Sequence, residues 1–408
     1  MAHRKVWNRH FVHLLAIEIA FQFASNLVNP VVSNYTVALG ASIAVAGFIA
    51  GLNSTMAIVA RPFTGWIADR FGKKHILIAA AALFTISAVG CTISTSPAMI
   101  GFFRSIQGFA FALRTVVIMA LVSLSVPADH LGRGIGWIGI ASTASCALGP
   151  MAGSFIGSTF GYLFCFVVSS CLFFAGFVLA ISFDSPETKE STTKHDDERC
   201  LMSGRADDRP QPPGRTRSIR ISDFFYLPSV RYSLMTSCVS FPYGVTVTLL
   251  FLSGEEKGIE GISVYFALYA VAAFVMKPLA GKLSDRYGYA AVVVPSLLLE
   301  MSSCIVLAFM NSAIMAVFAG LLMGIGQASA YSTLQAQAVR GVPKEVLGRA
   351  SNTFYIGPDV GMGFGPLVGG AIMGAFGSMW MYLFCALVVF IDMCCIVVVN
   401  KGRLVKRA

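Results

Sequence analysis

Glu18, Arg104, Arg114 and Asp359 are ionisable residues set inside long apolar runs, which is where chemistry is to be sought in this chain. A charge at mid-membrane costs about 2.5–3.5 kcal/mol on insertion scales, so one without a task is hard to retain. A carboxylate there can take up and release a proton, and a guanidinium can neutralise it or hold an anionic group. Polar neighbours recur around these charges at helical spacing. Glu18, Gln22, Ser25 and Asn29 share one helical face, as do Ser233, Ser237, Ser240 and Gly244. Arg104, Gln107 and Phe111 form a third stripe, and Gln327, Tyr331 and Gln335 a fourth. Such stripes either line a wet cavity or bond neighbouring helices together. For two further acids in apolar runs, Glu300 and Asp392, a structural role is equally reasonable.

The runs themselves dictate the architecture. The chain has 408 residues, 56% of them hydrophobic and only 12% charged, whereas a soluble domain carries about a quarter charged residues. Too little polar surface remains to cover a water-soluble body. Apolar blocks of about 20 residues, the length that spans a bilayer core as helix, fall near 11–33, 43–66, 75–95, 98–124, 134–158 and 162–183. A second set falls near 230–252, 262–282, 290–310, 312–338, 346–374 and 378–400. The expectation is an all-α membrane protein of about twelve transmembrane helices. Residues 184–229 break the pattern, being polar and rich in Pro, Ser, Thr, Asp and Arg, and read as a cytoplasmic linker. The chain thus divides into a six-helix bundle over 1–183, the linker over 184–229, and a second bundle over 230–408.

A formal charge of +10 would suit nucleic acid, but its distribution argues against that partner. Basic residues fill the N-terminus (Arg4, Lys5, Arg9), the tail (Lys401, Arg403, Lys406, Arg407) and alternate loops. The loops near 35–42, 95–98, 158–162, 310–313 and 374–378 carry no Lys or Arg. This alternation is the positive-inside rule, with both termini cytoplasmic. It places the chain in the plasma membrane with the lipid bilayer around it. The histidines sit at helix ends or in loops and no Cys-x-x-Cys occurs, so neither a metal nor a cofactor is expected.

The two halves repeat. Arg61-Pro62 followed by Gly65-x-x-x-Asp69-Arg70-x-Gly72 returns 216 residues later as Lys277-Pro278 followed by Gly281-x-x-x-Asp285-Arg286-x-Gly288. Val126-Pro127 and Leu131-Gly132-Arg133 return as Val342-Pro343 and Leu347-Gly348-Arg349 at the same offset. Gly149-Pro150 with Gly153 returns as Gly365-Pro366 with Gly369. Parallel six-helix repeats about an axis along the membrane normal are a transporter architecture whose site lies at the repeat interface. Under this offset Glu18 falls on Leu234, Arg104 on Gly320, Arg114 on Ala330 and Asp359 on Thr143. These four charges have no counterpart, and function is expected where the halves differ.

Gly65-x-x-x-Asp69-Arg70-x-Gly72-Lys73-Lys74 resembles the signature of the loop between helices 2 and 3 of the major facilitator superfamily. Arg104-x-x-Gln107-Gly108 resembles its helix-4 arginine motif, and Gly149-Pro150-x-x-Gly153 is similar to the helix-5 motif of its bacterial drug/proton antiporter branch. The resemblance covers the chain apart from the linker. It implies that Gly65, Asp69, Arg70 and Gly72, with Gly281, Asp285, Arg286 and Gly288, act as gating loops at the inner face. Asp69 would meet the start of helix 11 near Gly348-Arg349, and Asp285 the stretch at Gly132-Arg133. It also implies that helices 1, 4, 7 and 10 line the cavity, which makes the four polar stripes cavity-lining.

Together these readings lead to a secondary active transporter working by alternating access, most simply proton-coupled efflux of a small organic compound. Glu18 and Asp359 are the candidate proton carriers, with Arg104 and Arg114 beside them to modulate proton occupancy. One proton crossing roughly 100 mV yields about 2.3 kcal/mol, enough for roughly a fifty-fold solute gradient. ATP is not needed, and no Gly-x-x-x-x-Gly-Lys-Ser/Thr loop is present to bind it. The chain is expected to act as a monomer on a small-molecule substrate and protons. A proton-coupled importer is the alternative. An intramembrane enzyme is disfavoured because neither His-Glu-x-x-His nor Gly-x-Ser-x-Gly occurs.

Overall fold

The fold described here is a computed structural model covering residues 7–126, 131–184, 226–342 and 346–405. The linker expected over 184–229 lies almost wholly outside the described residues. Among the described residues, twelve helices follow one another. In the first half they are α1 (Arg9–Ala38), α2 (Ile43–Phe71), α3 (Lys73–Thr92), α4 (Pro97–Ser125), α5 (Leu131–Phe160) and α6 (Tyr162–Ser182). In the second they are α7 (Leu227–Glu256), α8 (Val264–Tyr287), α9 (Tyr289–Ala308), α10 (Ala313–Val339), α11 (Leu347–Phe376) and α12 (Ser378–Val405). Among the described residues, eleven of these helices are long and apolar enough to cross a membrane. Most run a few residues past the expected spans. Apolarity ends where the hydrocarbon would, but backbone hydrogen bonding continues until a cap stops it.

The caps are legible as local chemistry. The Asn8 side chain accepts from the Phe11 amide at 2.8 Å to start α1, and Ser96 with Pro97 starts α4. Gly72 (φ 76°) joins α2 to α3 and Gly288 (φ 85°) joins α8 to α9; Gly161 (φ 90°) and Gly377 (φ 88°) do the same before α6 and α12. These are two pairs of equivalent positions in the repeat. Each needs a left-handed backbone that glycine adopts without strain.

Within the first half, α1 packs on α5 and α6, α3 on α4 and α6, and α2 on α4. A ring stack of Phe84 and Phe173, with centroids 5.0 Å apart, anchors that core together with Phe21. The second half repeats the pattern with α7 on α11, α8 on α10 and α9 on α10 and α12 around Tyr265, Phe266 and Tyr382. Outward-facing Phe102, Phe155, Phe174, Val271, Phe274 and Val398 give the apolar belt that lipid would cover.

The halves meet along α2–α11, α1–α7 and α5–α8, and the first contact is much the most extensive. Its cause is glycine. Gly51 lies against the backbone of Gly363, and Gly47 against Pro366 and Gly370, with no side chain between the two helices. A second row on α11, Gly357, Gly361 and Gly365, lies against α7 at Ser233, Ser237 and Phe241. α11 is therefore a small-residue spine wedged between α7 and α2. The repeat-equivalent positions for the α5–α8 contact hold Ala147, Ser154, Ser263 and Ala267, so that approach is looser.

Candidate functional site

The four charges found by sequence are all buried, but they do not form one cluster. Glu18 on α1 is ion-paired with Arg114 on α4, inside the first half. Arg114 also donates to Gln22 Oε1 at 3.3 Å and lies over Phe111, Phe21 and Phe84, with its guanidinium carbon 5.5–6.0 Å from their ring centres. A guanidinium boxed by aromatic faces keeps favourable electrostatics where water is excluded. Gln22 in turn donates to Ser142 on α5 at 2.9 Å. Arg104 has no carboxylate partner among the described residues. It donates to Gln107 at 2.9 Å, to Asn29 at 3.2 Å and to the Ala50 carbonyl at 3.3 Å, which ties α4 to α1 and α2. Glu18 therefore neutralises Arg114 and not Arg104.

Asp359 on α11 pairs with a residue absent from that set. Its carboxylate accepts from Arg61 of α2, across the boundary between the halves, with both side chains buried. Arg61 also donates to Asn352 at 3.4 Å and lies over the Tyr355 ring, whose hydroxyl accepts from Gln335 on α10 at 2.9 Å. At the repeat-equivalent place Lys277 of α8 donates to Thr143 of α5 at 2.7 Å, again across the boundary. Sequence reasoning placed Arg61 and Lys277 only in the repeated loop motif. The available signal was depth: each lies eight residues, over two turns, before the aspartate in the last turn of its helix.

The polar stripes fare differently from one another. Gln22, Ser25, Asn29, Phe111 and Tyr331 are half-buried at mid-helix. Gln327 accepts from Tyr269 at 3.0 Å, and Tyr269 stacks on Tyr243 with centroids 5.2 Å apart. On α7 the Ser237 carbonyl and the Ser240 Cβ lie against Gly361 of α11. Glu300 on α9 and Asp392 on α12 are buried on the peripheral side of the second half. Of the gating loops, Asp285 and Arg286 are exposed at the end of α8, while the side chains of Asp69 and Arg70 lie outside the described residues.

At the opposite end of the bundle from Arg9, Glu255 of α7 accepts from Asn34 of α1 at 2.7 Å and from Tyr162 of α6 at 3.2 Å. The halves are tied there by hydrogen bonds as well as by glycine packing. Two repeated bundles, closed at one end and carrying a buried charge pair across their boundary, constitute a recognisable assembly. The sequence profile of the Major Facilitator Superfamily matches residues 14–266 and 233–404. The chain belongs to the major facilitator superfamily.

Within the superfamily, it is 25% identical over 385 residues to the multidrug resistance protein MdtG of Dickeya zeae (strain Ech586), covering 90% of this chain and 89% of that protein. It is 23% identical over 394 residues to the staphylopine export protein of Staphylococcus aureus (strain Mu50 / ATCC 700699), covering 94% of each. Its fold superposes on the nucleoside transporter NupG with a TM-score of 0.74, at 12% identity and over 97% of this chain and 100% of that one. A POT family transporter in complex with 5-aminolevulinic acid gives a TM-score of 0.75 at 12% identity, covering 97% of this chain and 96% of that one. The chain is thus a membrane transporter of the major facilitator superfamily, built as the twelve-helix, two-repeat protein its sequence implies.

Proposed function

We propose that this transporter exports a small organic compound in exchange for protons, by alternating access of the space between its two halves. The observation that carries the reading is the buried Arg61–Asp359 pair. Of the two candidate acids, Glu18 is neutralised within one half, whereas Asp359 is neutralised by the other half. A proton taken up by Asp359 removes the negative partner of Arg61 and weakens a contact that holds α2 to α11. Protonation is thereby linked to relative movement of the halves, which is what coupling requires. Glu18 is the second candidate carrier, with Gln22 and Arg114 reporting its charge toward the shared space. Export, as against import, is supported by the similarity to the staphylopine export protein of Staphylococcus aureus.

The test uses proteoliposomes and whichever compound most raises the melting temperature of the purified chain. Asp359→Asn should lose proton-driven uphill transport yet keep substrate-for-substrate exchange, which needs no net proton movement. Glu18→Gln should stop uphill transport too, with a lower melting temperature because Arg114 is left buried without its acid. Full uphill transport by Asp359→Asn would remove that carboxylate from the mechanism.

A further inference from the structure

The two halves differ most sharply at one equivalent pair of contacts. Arg61 of α2 meets a carboxylate, Asp359 of α11. Lys277 of α8 stands at the equivalent place and meets only a hydroxyl, Thr143 of α5, at 2.7 Å. No carboxylate lies within ion-pair distance of Lys277 among the described residues. A cation held deep in a bundle without an acid is costly, and such residues in membrane proteins mark a substrate or ion pathway.

The surroundings of Lys277 fit a ligand. Cys146, one turn beyond Thr143 on α5, is in the electrostatic neighbourhood of Lys277, and Gly149, one turn further, packs against Asn26 of α1. The ammonium of α8 thus touches α5 beside the place where α5 packs on α1, so its surroundings draw on both halves. Two turns before Lys277 on the same helix, Tyr269 stacks against Tyr243 and donates to Gln327 on α10. Lys277 itself is half-buried. The site therefore offers one positive charge without an acid, the Asn26 amide on a neighbouring helix and an aromatic pair two turns along α8.

We propose that Lys277 is the anion-binding residue of the transport site and takes the carboxylate of a small planar organic acid, which stands against it as Asp359 stands against Arg61. The proposal rests on the transporter reading and deepens it by naming a substrate class. The Asn26 amide, which already gives one N–H to the Gln22 carbonyl at 2.8 Å, supplies its other N–H to the carboxylate, and the Tyr243–Tyr269 pair covers the apolar ring. Thr143 holds the ammonium when the site is empty. Because Lys277 and Thr143 lie on opposite sides of the boundary, an arriving carboxylate competes for a contact that joins the halves.

The probes are 2-naphthoate, its neutral isostere 2-naphthamide and the cation 2-naphthylmethylammonium, added to the purified full-length chain while melting temperature and binding are measured. 2-Naphthoate should stabilise the wild type in proportion to its concentration, and the amide should not. Lys277→Gln should weaken 2-naphthoate roughly ten- to a hundredfold, the loss of one buried charged hydrogen bond, and Lys277→Arg should recover part of it. Thr143→Asp installs the missing acid, so it should abolish 2-naphthoate binding while keeping or raising the melting temperature without ligand. Should that variant not fold, the Lys277→Gln and Lys277→Arg pair decides. Equal binding of naphthoate and amide, or unchanged naphthoate affinity in Lys277→Gln, overturns the anion site. If the ammonium probe alone binds and is driven uphill by a proton gradient, the anion site falls while the transporter reading stands. If 2-naphthoate binds through Lys277 but is never driven uphill, the anion site stands and the proton-coupled reading falls.

Discussion

Arg61 and Lys277 occupy one position in two copies of a repeat, and their partners make them different. Arg61 has an acid and closes a buried pair between the halves; Lys277 has a hydroxyl. Removing one partner of a buried pair leaves an uncompensated charge, which costs about 3–5 kcal/mol, whereas removing both is far milder. Arg61→Gln and Asp359→Asn should therefore each destabilise the purified chain strongly, and the double variant should recover most of the loss. A double-mutant cycle on unfolding in detergent measures this, and costs that merely add would show the two side chains to be energetically independent. Sequence alone flagged Asp359 because its equivalent is Thr143, but it passed over Arg61. A basic residue retained in both copies looks like loop charge until a structure shows how deep it sits.

Helix α11 earns its central place through glycine on two sides. Gly363 and Gly370 admit α2, while Gly357, Gly361 and Gly365 admit α7. A side chain at Gly51 would run into the carbonyl of Gly363, which belongs to backbone and cannot rotate away. Gly51→Leu is expected to push α2 from α11 and lower the melting temperature, by several degrees or more, with transport lost in proteoliposomes. Gly136 on α5 is the contrasting case, since nothing lies within 4 Å of where its Cβ would be. Gly136→Ala should raise stability by about 0.5–1 kcal/mol, because alanine loses less backbone entropy in a helix. If both substitutions behaved alike, close approach would not be what the α2–α11 glycines provide. The glycine pattern is readable in the sequence, and so is its weakening to Ala147, Ser154, Ser263 and Ala267 in the other copy. Which neighbour each glycine faces is not readable, because α11 carries them all around its axis.

As a whole the molecule is two pseudo-equivalent bundles joined tightly along one pair of helices and loosely along the other. Its far end is organised by three consecutive residues. Glu255 binds Asn34 and Tyr162 of the other half, Glu256 accepts from the Ser378 amide at 3.1 Å to begin α12, and Lys257 donates to the Ala308 carbonyl at 2.7 Å to end α9. The alternation of basic loops predicts that this end faces outward. In a cysteine-free background, Thr95→Cys and Asn311→Cys, both at exposed positions of that end, should react with an impermeant thiol reagent added to intact cells. Ser203→Cys, in the 184–229 segment, should react only after the membrane is opened. The reverse pattern would invert the orientation.

Composition, loop charge and a constant repeat offset were sufficient for the membrane class, the twelve helices and the two halves, because each follows from local rules. Helix length follows hydrocarbon thickness, loop charge follows the positive-inside bias, and equivalent glycines such as Gly72 and Gly288 follow turn geometry. The burial of Glu18, Arg104, Arg114 and Asp359 was legible in the same way, as charge within apolar runs. Their pairing was not. Glu18 finds Arg114 over Arg104, and Asp359 finds Arg61 nearly three hundred positions away, because ion pairs depend on which helix faces lie together at one depth. That register comes from packing of α2, α11 and α7 through their glycines, a long-range outcome that no single segment encodes. The same packing leaves Lys277 opposite a hydroxyl where Arg61 meets an acid.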